Sequence, residues 1–520
     1  MSKINTSSTY LGIEFGSTRI KAVLIDDTFA PVASGAYDWE NRLENGYWTY
    51  SLDDVTKGLR GAYASLAADF EEKFGESLTT VGAMGISAMM HGYLPFDSEN
   101  RLLAPFRTWR NTTTAEAAAK LTKLFGFNVP QRWSIAHLYQ AMLNKEEHVK
   151  NIAYITTLAG YVHFLLTGKR VVGVGEAAGM FPLGENGKYD EKMLDSFSEL
   201  SGEYDWNIRS VLPEIMTAGE NAGTLTESGA ALLDLTGKLK AGIPLCPPEG
   251  DAGTGMAATN SVLPRTGNVS AGTSIFSMLV LEKPLSGVYP EIDVVATPDG
   301  KPVAMVHCNN CCSELDAWVK LFGEFAELSG RQMSKSELYE LLYKNALNGD
   351  PDCGGVMAYN FLSGEPVAGA ENGRPMYYRS PNGRFSLANF MRAELYSAFG
   401  ALKLGMDILS EKENVPSDKF TGHGGLFKVS GVAQQFLSDA LGADVSVMKN
   451  AGEGGAWGMA LLAAYMSCGE GKTLPEWLDT NVFTDLECAT LSPTEQGSAG
   501  FAEFMKEYRR GLKAEYAAAE

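Results

Sequence analysis

The chain has 520 residues, 45% of them hydrophobic and 20% charged, with a formal net charge of −20. That length and apolar share fit a globular protein of two or more domains with ample core. The acidic balance argues against nucleic acid or anionic membrane as a partner.

No apolar run reaches membrane-spanning length. The amino terminus, Met1-Ser2-Lys3-Ile4-Asn5, has no apolar signal core, so a cytoplasmic protein is expected. Seven cysteines form an odd, unpatterned set, which fits a reducing compartment. His307-Cys308-Asn309-Asn310-Cys311-Cys312 offers soft ligands, but no second ligand pair lies nearby in sequence. Small buried thiols are expected there.

In chain order, the first element is an apolar strand from Tyr10. It carries Glu14 and ends in a Gly16-Ser17-Thr18 turn, and a second apolar strand follows through Arg19, Lys21 and Ile25. A third strand is expected at Ala30–Tyr37. Ser51 and Asp53 can cap a helix running to about Phe74, whose apolar positions Val55, Leu59, Tyr63, Leu66 and Phe70 recur at helical spacing. The stretch from Val81 to Ala88 reads as a buried strand and runs into Met90-His91-Gly92. A loop at a strand's carboxyl end is where α/β folds place ligands. Trp109-Arg110-Asn111 then precedes a helix over Ala115–Leu124. Segment 131–170 is expected to be helical and to stop at Gly168, a left-handed cap signal.

Pro247-Pro248-Glu249-Gly250-Asp251-Ala252-Gly253 sets a carboxylate between glycines. A phosphoryl acceptor needs such a site: a base touching its hydroxyl, with no bulk in the way. Small residues over Ala252–Thr259 suit a tightly packed helix. The first hairpin's plan then recurs: a strand from Gly267, the turn Gly272-Thr273-Ser274, and a strand from Ile275. Such turns can aim N–H groups and hydroxyls at phosphate oxygens. Two similar hairpins suggest two related halves. A long helix is expected over Phe385–Leu409, with Arg392 and Glu394 on it. Last come Gly422-His423-Gly424-Gly425-Leu426-Phe427-Lys428 at a strand-to-helix junction, where glycines let a base or phosphate lie against the backbone. Ala451-Gly452-Glu453 begins the final expected helix, and the tail after about residue 490 carries no motif.

Taken in this order, the motifs resemble the FGGY family of carbohydrate kinases, within the actin/hexokinase-like ATPase superfamily. The resemblance implies an α/β fold of two actin-like (ribonuclease H-like) ATPase domains with a cleft between them. It divides the chain into 8–260, 261–485 and a tail, 486–520. It implies ATP-dependent transfer of a γ-phosphoryl group to a ketose hydroxyl. A ketopentose such as xylulose leads, and a ketohexose, polyol or sugar acid is the alternative. A non-kinase ATPase on the same scaffold is the competing class.

By the resemblance, Asp251 is the catalytic base. Met90, His91, Trp109, Arg110, Asn111 and Gly250 contact the sugar. Gly16, Ser17, Thr18, Arg19, Lys21, Gly272, Thr273, Ser274, Gly424, Gly425, Leu426 and Lys428 contact the nucleotide. Glu14 stands where the family has Asp, reaching Mg²⁺ through water. The chain also departs from the family at Asn111, where Asp is usual, and at Ala252, where xylulose kinases tend to have Asn. The implied cofactors are ATP and Mg²⁺. The implied partner is a small-molecule sugar, with no nucleic acid or membrane, and homodimers are common among relatives.

Overall fold

The structure, a computed structural model, describes residues 4–448, 454–484 and 488–520. Ala451-Gly452-Glu453, expected to begin a helix, lies outside the described residues. The chain forms two compact units. One comprises Met1–Val262, Val294–Pro302 and Asn450–Asp485, and the other Leu263–Asp293, Val303–Lys449 and Leu486–Glu520.

The first unit is built on five strands: β1 (Tyr10–Phe15), β2 (Arg19–Ile25), β3 (Pro31–Asp38), β4 (Ala83–Ala88) and β5 (Glu249–Gly250), in the spatial order β5-β4-β1-β2-β3. β1, β2 and β3 pair antiparallel, while β4 joins β1, and β5 joins β4, in parallel. The Leu52–Phe74 helix is capped by Ser51, which accepts from the Asp54 N–H at 3.1 Å. Its apolar stripe Val55, Leu59, Tyr63, Leu66 and Phe70 is buried, as the spacing predicts. The Gly168 cap is left-handed, at φ 73°.

A second sheet has seven strands: β6 (Thr266–Ala271), β7 (Ile275–Val280), β8 (Asp293–Ala296), β9 (Pro302–Cys308), β10 (Lys419–His423), β11 (Asp444–Met448) and β12 (Cys488–Leu491). Their order is β8-β9-β7-β6-β10-β11-β12. Within it, β6, β7 and β9 pair antiparallel, and β10 and β11 add in parallel. This repeats the plan of β1 to β5, so the twin hairpins seen in sequence belong to twin sheets. The Leu387–Asp407 helix is buried on nearly every side.

The compact units do not follow a contiguous division near residue 485. The Gly454–Cys468 helix belongs to the first unit because small residues let main chains touch. A Cβ on Gly12 of β1 would collide with the Ala456 carbonyl, and one on Gly458 with the Thr254 carbonyl. The region after 490 is likewise structural: the Glu495–Ala519 helix buries Phe501, Phe504, Met505, Tyr508 and Leu512.

Candidate active site

β5 ends at Gly250, and Asp251 opens the helix Asp251–Ala258 directly behind it. The Met90 N–H donates to Asp251 Oδ1 at 3.1 Å, and the Ala252 N–H donates to the same oxygen at 3.0 Å. β4 delivers Met90, because β4 and β5 lie side by side with Ala88 opposite Gly250. Solvent reaches the Asp251 side chain. Yet the surrounding protein desolvates its carboxyl enough to push its pKa up, against the pull of the N–H groups of Met90, Ala252 and Asp251 itself.

His91 follows in the left-handed region, at φ 70°. A non-glycine residue rarely sits there, and such strain concentrates at functional sites. His91 Nδ1 lies 3.2 Å from the Gly179 carbonyl oxygen, and its ring stacks on Trp133 with centroids 6.4 Å apart. Asp251, Gly250, Met90 and His91 therefore converge.

Two further carboxyls lie here that sequence reasoning missed. Glu249 accepts from the Gly175 N–H at 3.2 Å and the Glu176 N–H at 3.0 Å, and burial pushes its carboxyl up to about 8. Glu176 is fully buried, and burial raises it well above the usual range. The available signal was one acid inside the small-residue run Gly173-Val174-Gly175-Glu176-Ala177-Ala178-Gly179.

Glu14 on β1 stands opposite Lys21 on β2 and Ser87 on β4. Burial, then the charge of Asp251, raise it to about 7, while Lys21 and the Ala456 N–H pull it down. Glu14 Oε1 lies against Gly455, at the start of the Gly454–Cys468 helix.

The first turn closes with the Gly16 N–H donating to the Arg19 carbonyl at 3.0 Å. Trp39 Nε1 donates to the Gly16 carbonyl at 2.7 Å, and the Tyr50 hydroxyl to that of Ser17 at 2.6 Å. The second turn is treated alike: the N–H groups of Cys311 and Cys312 donate to the carbonyls of Thr273 and Gly272, each at 3.0 Å. Tying off carbonyls removes acceptors that an anion would meet. Gly424, at φ 106°, packs so close to the Ala271 carbonyl that no side chain fits. That contact sets the Gly424-Gly425 turn beside the end of β6 and hence beside Gly272.

Sequence models of the FGGY family of carbohydrate kinases match residues 9–256 with the N-terminal domain and 267–467 with the C-terminal domain. The chain belongs to the FGGY family of carbohydrate kinases. As such it is an ATP-dependent sugar kinase. This FGGY kinase is 23% identical over 489 residues to the xylulose kinase of Haemophilus influenzae, covering 89% of this chain and 91% of that one. Its fold is that of the ligand-bound xylulose kinase from Lactobacillus acidophilus, with a TM-score of 0.79 at 16% identity, covering 98% of this chain and 100% of the other. The gluconate kinase from the same organism gives a TM-score of 0.79 at 16% identity, covering 98% and 99%.

Four residues expected to touch ligands in this FGGY kinase are engaged elsewhere. Asn111 is buried, and both its donors are used, on the carbonyls of Trp48 at 2.9 Å and Thr108 at 3.0 Å. Its oxygen accepts from the Trp48 N–H at 2.8 Å. It clamps backbone rather than presenting an amide to sugar. Arg110 lies over the Trp48 ring at 3.9 Å and donates to Asn41 at 2.9 Å. Arg19 pairs with Asp38 at 2.6 Å on the surface. Leu426 belongs to the hydrophobic core, so its side chain faces packed protein. Trp109 is half-buried against the first unit's core. Gly425, Lys428, Thr18 and Thr273 are exposed. Among the described residues, no helix is long and apolar enough to cross a membrane.

Proposed function

We propose that this FGGY kinase phosphorylates a hydroxyl of a ketose, with a ketopentose such as xylulose first, and that Asp251 is the base. The observation that carries this reading is the Met90 N–H on Asp251 Oδ1 at 3.1 Å, which leaves Oδ2 for an incoming hydroxyl. Asp251 takes the hydroxyl proton as the oxygen attacks the γ-phosphorus. Positioning and charge stabilisation supply the rest. Met90, His91 and Gly250 shape the sugar side. Gly16, Ser17, Thr18, Lys21, Gly272, Thr273, Ser274, Gly424, Gly425 and Lys428 are the donors assigned to the nucleotide in this reading. The xylulose kinase relative supports a ketopentose as the leading acceptor.

Among the described residues, no group of three or more His, Cys, Asp or Glu could hold a metal ion. The charge of Asp251 raises the cost of ionising Glu14, and a divalent cation held beside these two acids would lower it. Mg²⁺ there would offset the charge of the triphosphate. The six described cysteines are free thiols, which supports the cytoplasm as the protein's location. ADP release measured across ketopentoses, ketohexoses, polyols and sugar acids tests the reading. Turnover stimulated most by a ketopentose is expected. An equal rate with and without every sugar would overturn it.

A further inference from the structure

Glu176 is 0% exposed, and neither carboxyl oxygen makes a hydrogen bond. The Thr157 hydroxyl is the neighbour that acts on it as a hydrogen-bond donor, but it sits outside normal bonding geometry. Buried polar atoms in folded proteins are almost always paired, so an orphaned carboxyl calls for a missing partner. Its place narrows that partner. Glu176 Oε2 lies 2.5 Å from the point where a Cβ on Gly250 would sit, and Met90 Cγ crowds the same point. The carboxyl thus lies against the residue preceding Asp251, alongside a thioether chain that can move without breaking hydrogen bonds.

Other orphans share the neighbourhood. The Tyr189 hydroxyl, which feels the charge of Glu176, has no partner, and neither has the indole N–H of Trp133, the residue stacked on His91. Glu249 holds Glu176 in place through its backbone N–H. Both charged groups acting on Glu176, Glu249 and Asp251, are acids.

We propose that Glu176 is a specificity-determining residue: it hydrogen-bonds a hydroxyl of the acceptor other than the one phosphorylated, and the site takes an uncharged ketose or polyol rather than a sugar acid. This rests on Asp251 marking the acceptor site. A hydroxyl can both donate and accept, so it satisfies a buried carboxyl in either protonation state. A substrate carboxylate would instead add a further negative charge to a group of acids with little solvent to screen it.

The test compares Glu176→Ala and Glu176→Gln with the parent, using the best neutral sugar and its corresponding aldonate, with folding checked by thermal melting. In the parent, kcat/KM for the neutral sugar is expected to exceed that for the aldonate by about a hundredfold or more. Glu176→Ala should raise KM for the sugar about tenfold or more and leave KM for ATP within about twofold. Should Glu176→Ala fail to fold, the near-isosteric Glu176→Gln carries the test, with an expected rise of about threefold in sugar KM alone. A sugar KM unchanged in the folded variant, or an aldonate used as well as the neutral sugar, overturns the proposal. The base assignment is read separately. Asp251→Asn turning over at the parent rate would remove Asp251 as base, while the sugar KM of the Glu176 variants would still report on Glu176.

Discussion

At Asp251 two opposing effects meet on one carboxyl. Desolvation raises its pKa, and three N–H groups hold it down. The net shift is upward, which moves the group toward the pH at which a base is both ionised and basic enough. Replacing it with asparagine keeps shape and removes the proton acceptor, so kcat should fall about 10²–10⁴-fold, measured by ADP release at saturating sugar. The same shift predicts the pH profile. The base works only when ionised, so kcat/KM should fall as pH drops, with a midpoint above the ordinary aspartate range. A midpoint within or below that range would contradict the desolvated setting. Asn111 teaches the converse. Its residue type suggested a sugar contact, but an amide beside a main-chain segment finds its partners there first. Nothing in the local sequence reveals that the segment is Trp48, 63 positions away.

Elements join where glycine permits main-chain contact. A Cβ on Gly12 would meet the Ala456 carbonyl and, at 2.5 Å, the Ala460 nitrogen, both main-chain atoms that cannot swing aside. Gly12→Ala should therefore cost about 3 kcal/mol, at the upper end of overpacking effects, read as a lower midpoint in chemical denaturation. A loop in the second unit is held differently. Glu413 accepts from the N–H groups of Ser286 at 2.8 Å and Gly287 at 2.9 Å, and from the Tyr289 hydroxyl at 2.7 Å. These bonds hold its carboxyl down at about 2. A depressed acid stabilises the fold above its unfolded pKa, and that contribution is lost as pH falls through the folded value. Glu413→Gln should thus destabilise the second unit by about 2–3 kcal/mol at neutral pH, with the difference from the parent shrinking as pH approaches about 2. The tail carried no motif in sequence, yet its helix buries Phe501, Phe504, Tyr508 and Leu512 against distant partners such as Tyr396, whose ring lies 4.6 Å from that of Phe501.

Across the whole molecule, buried acids of opposite behaviour to Glu413 dominate. Glu249 and Glu394 are raised to about 8, and Glu14 and Glu365 to about 7. A raised acid binds its proton more tightly in the folded state. Its stabilisation is full below the unfolded value of 4.5 and is lost as pH rises through about 8. The protein should therefore unfold at progressively lower temperature as pH climbs through that window, followed by scanning calorimetry at constant ionic strength. The net charge of −20 acts in the same direction, since repulsion grows as the remaining protons leave.

The sequence by itself determined the local geometry: paired strands around two glycine turns, an aspartate opening a helix, the cap at Gly168, and the repeat that makes two sheets of one plan. Those features depend on φ/ψ preference and on periodicity, which neighbouring residues encode. Only the tertiary structure decided that Met90 meets Asp251 across 161 positions, that Glu176 and Glu249 gather behind them, and that the Gly454–Cys468 helix rejoins the first unit. Such meetings depend on which distant surfaces fit at close range. Shape complementarity among elements sets that fit, and no local window of residues contains it.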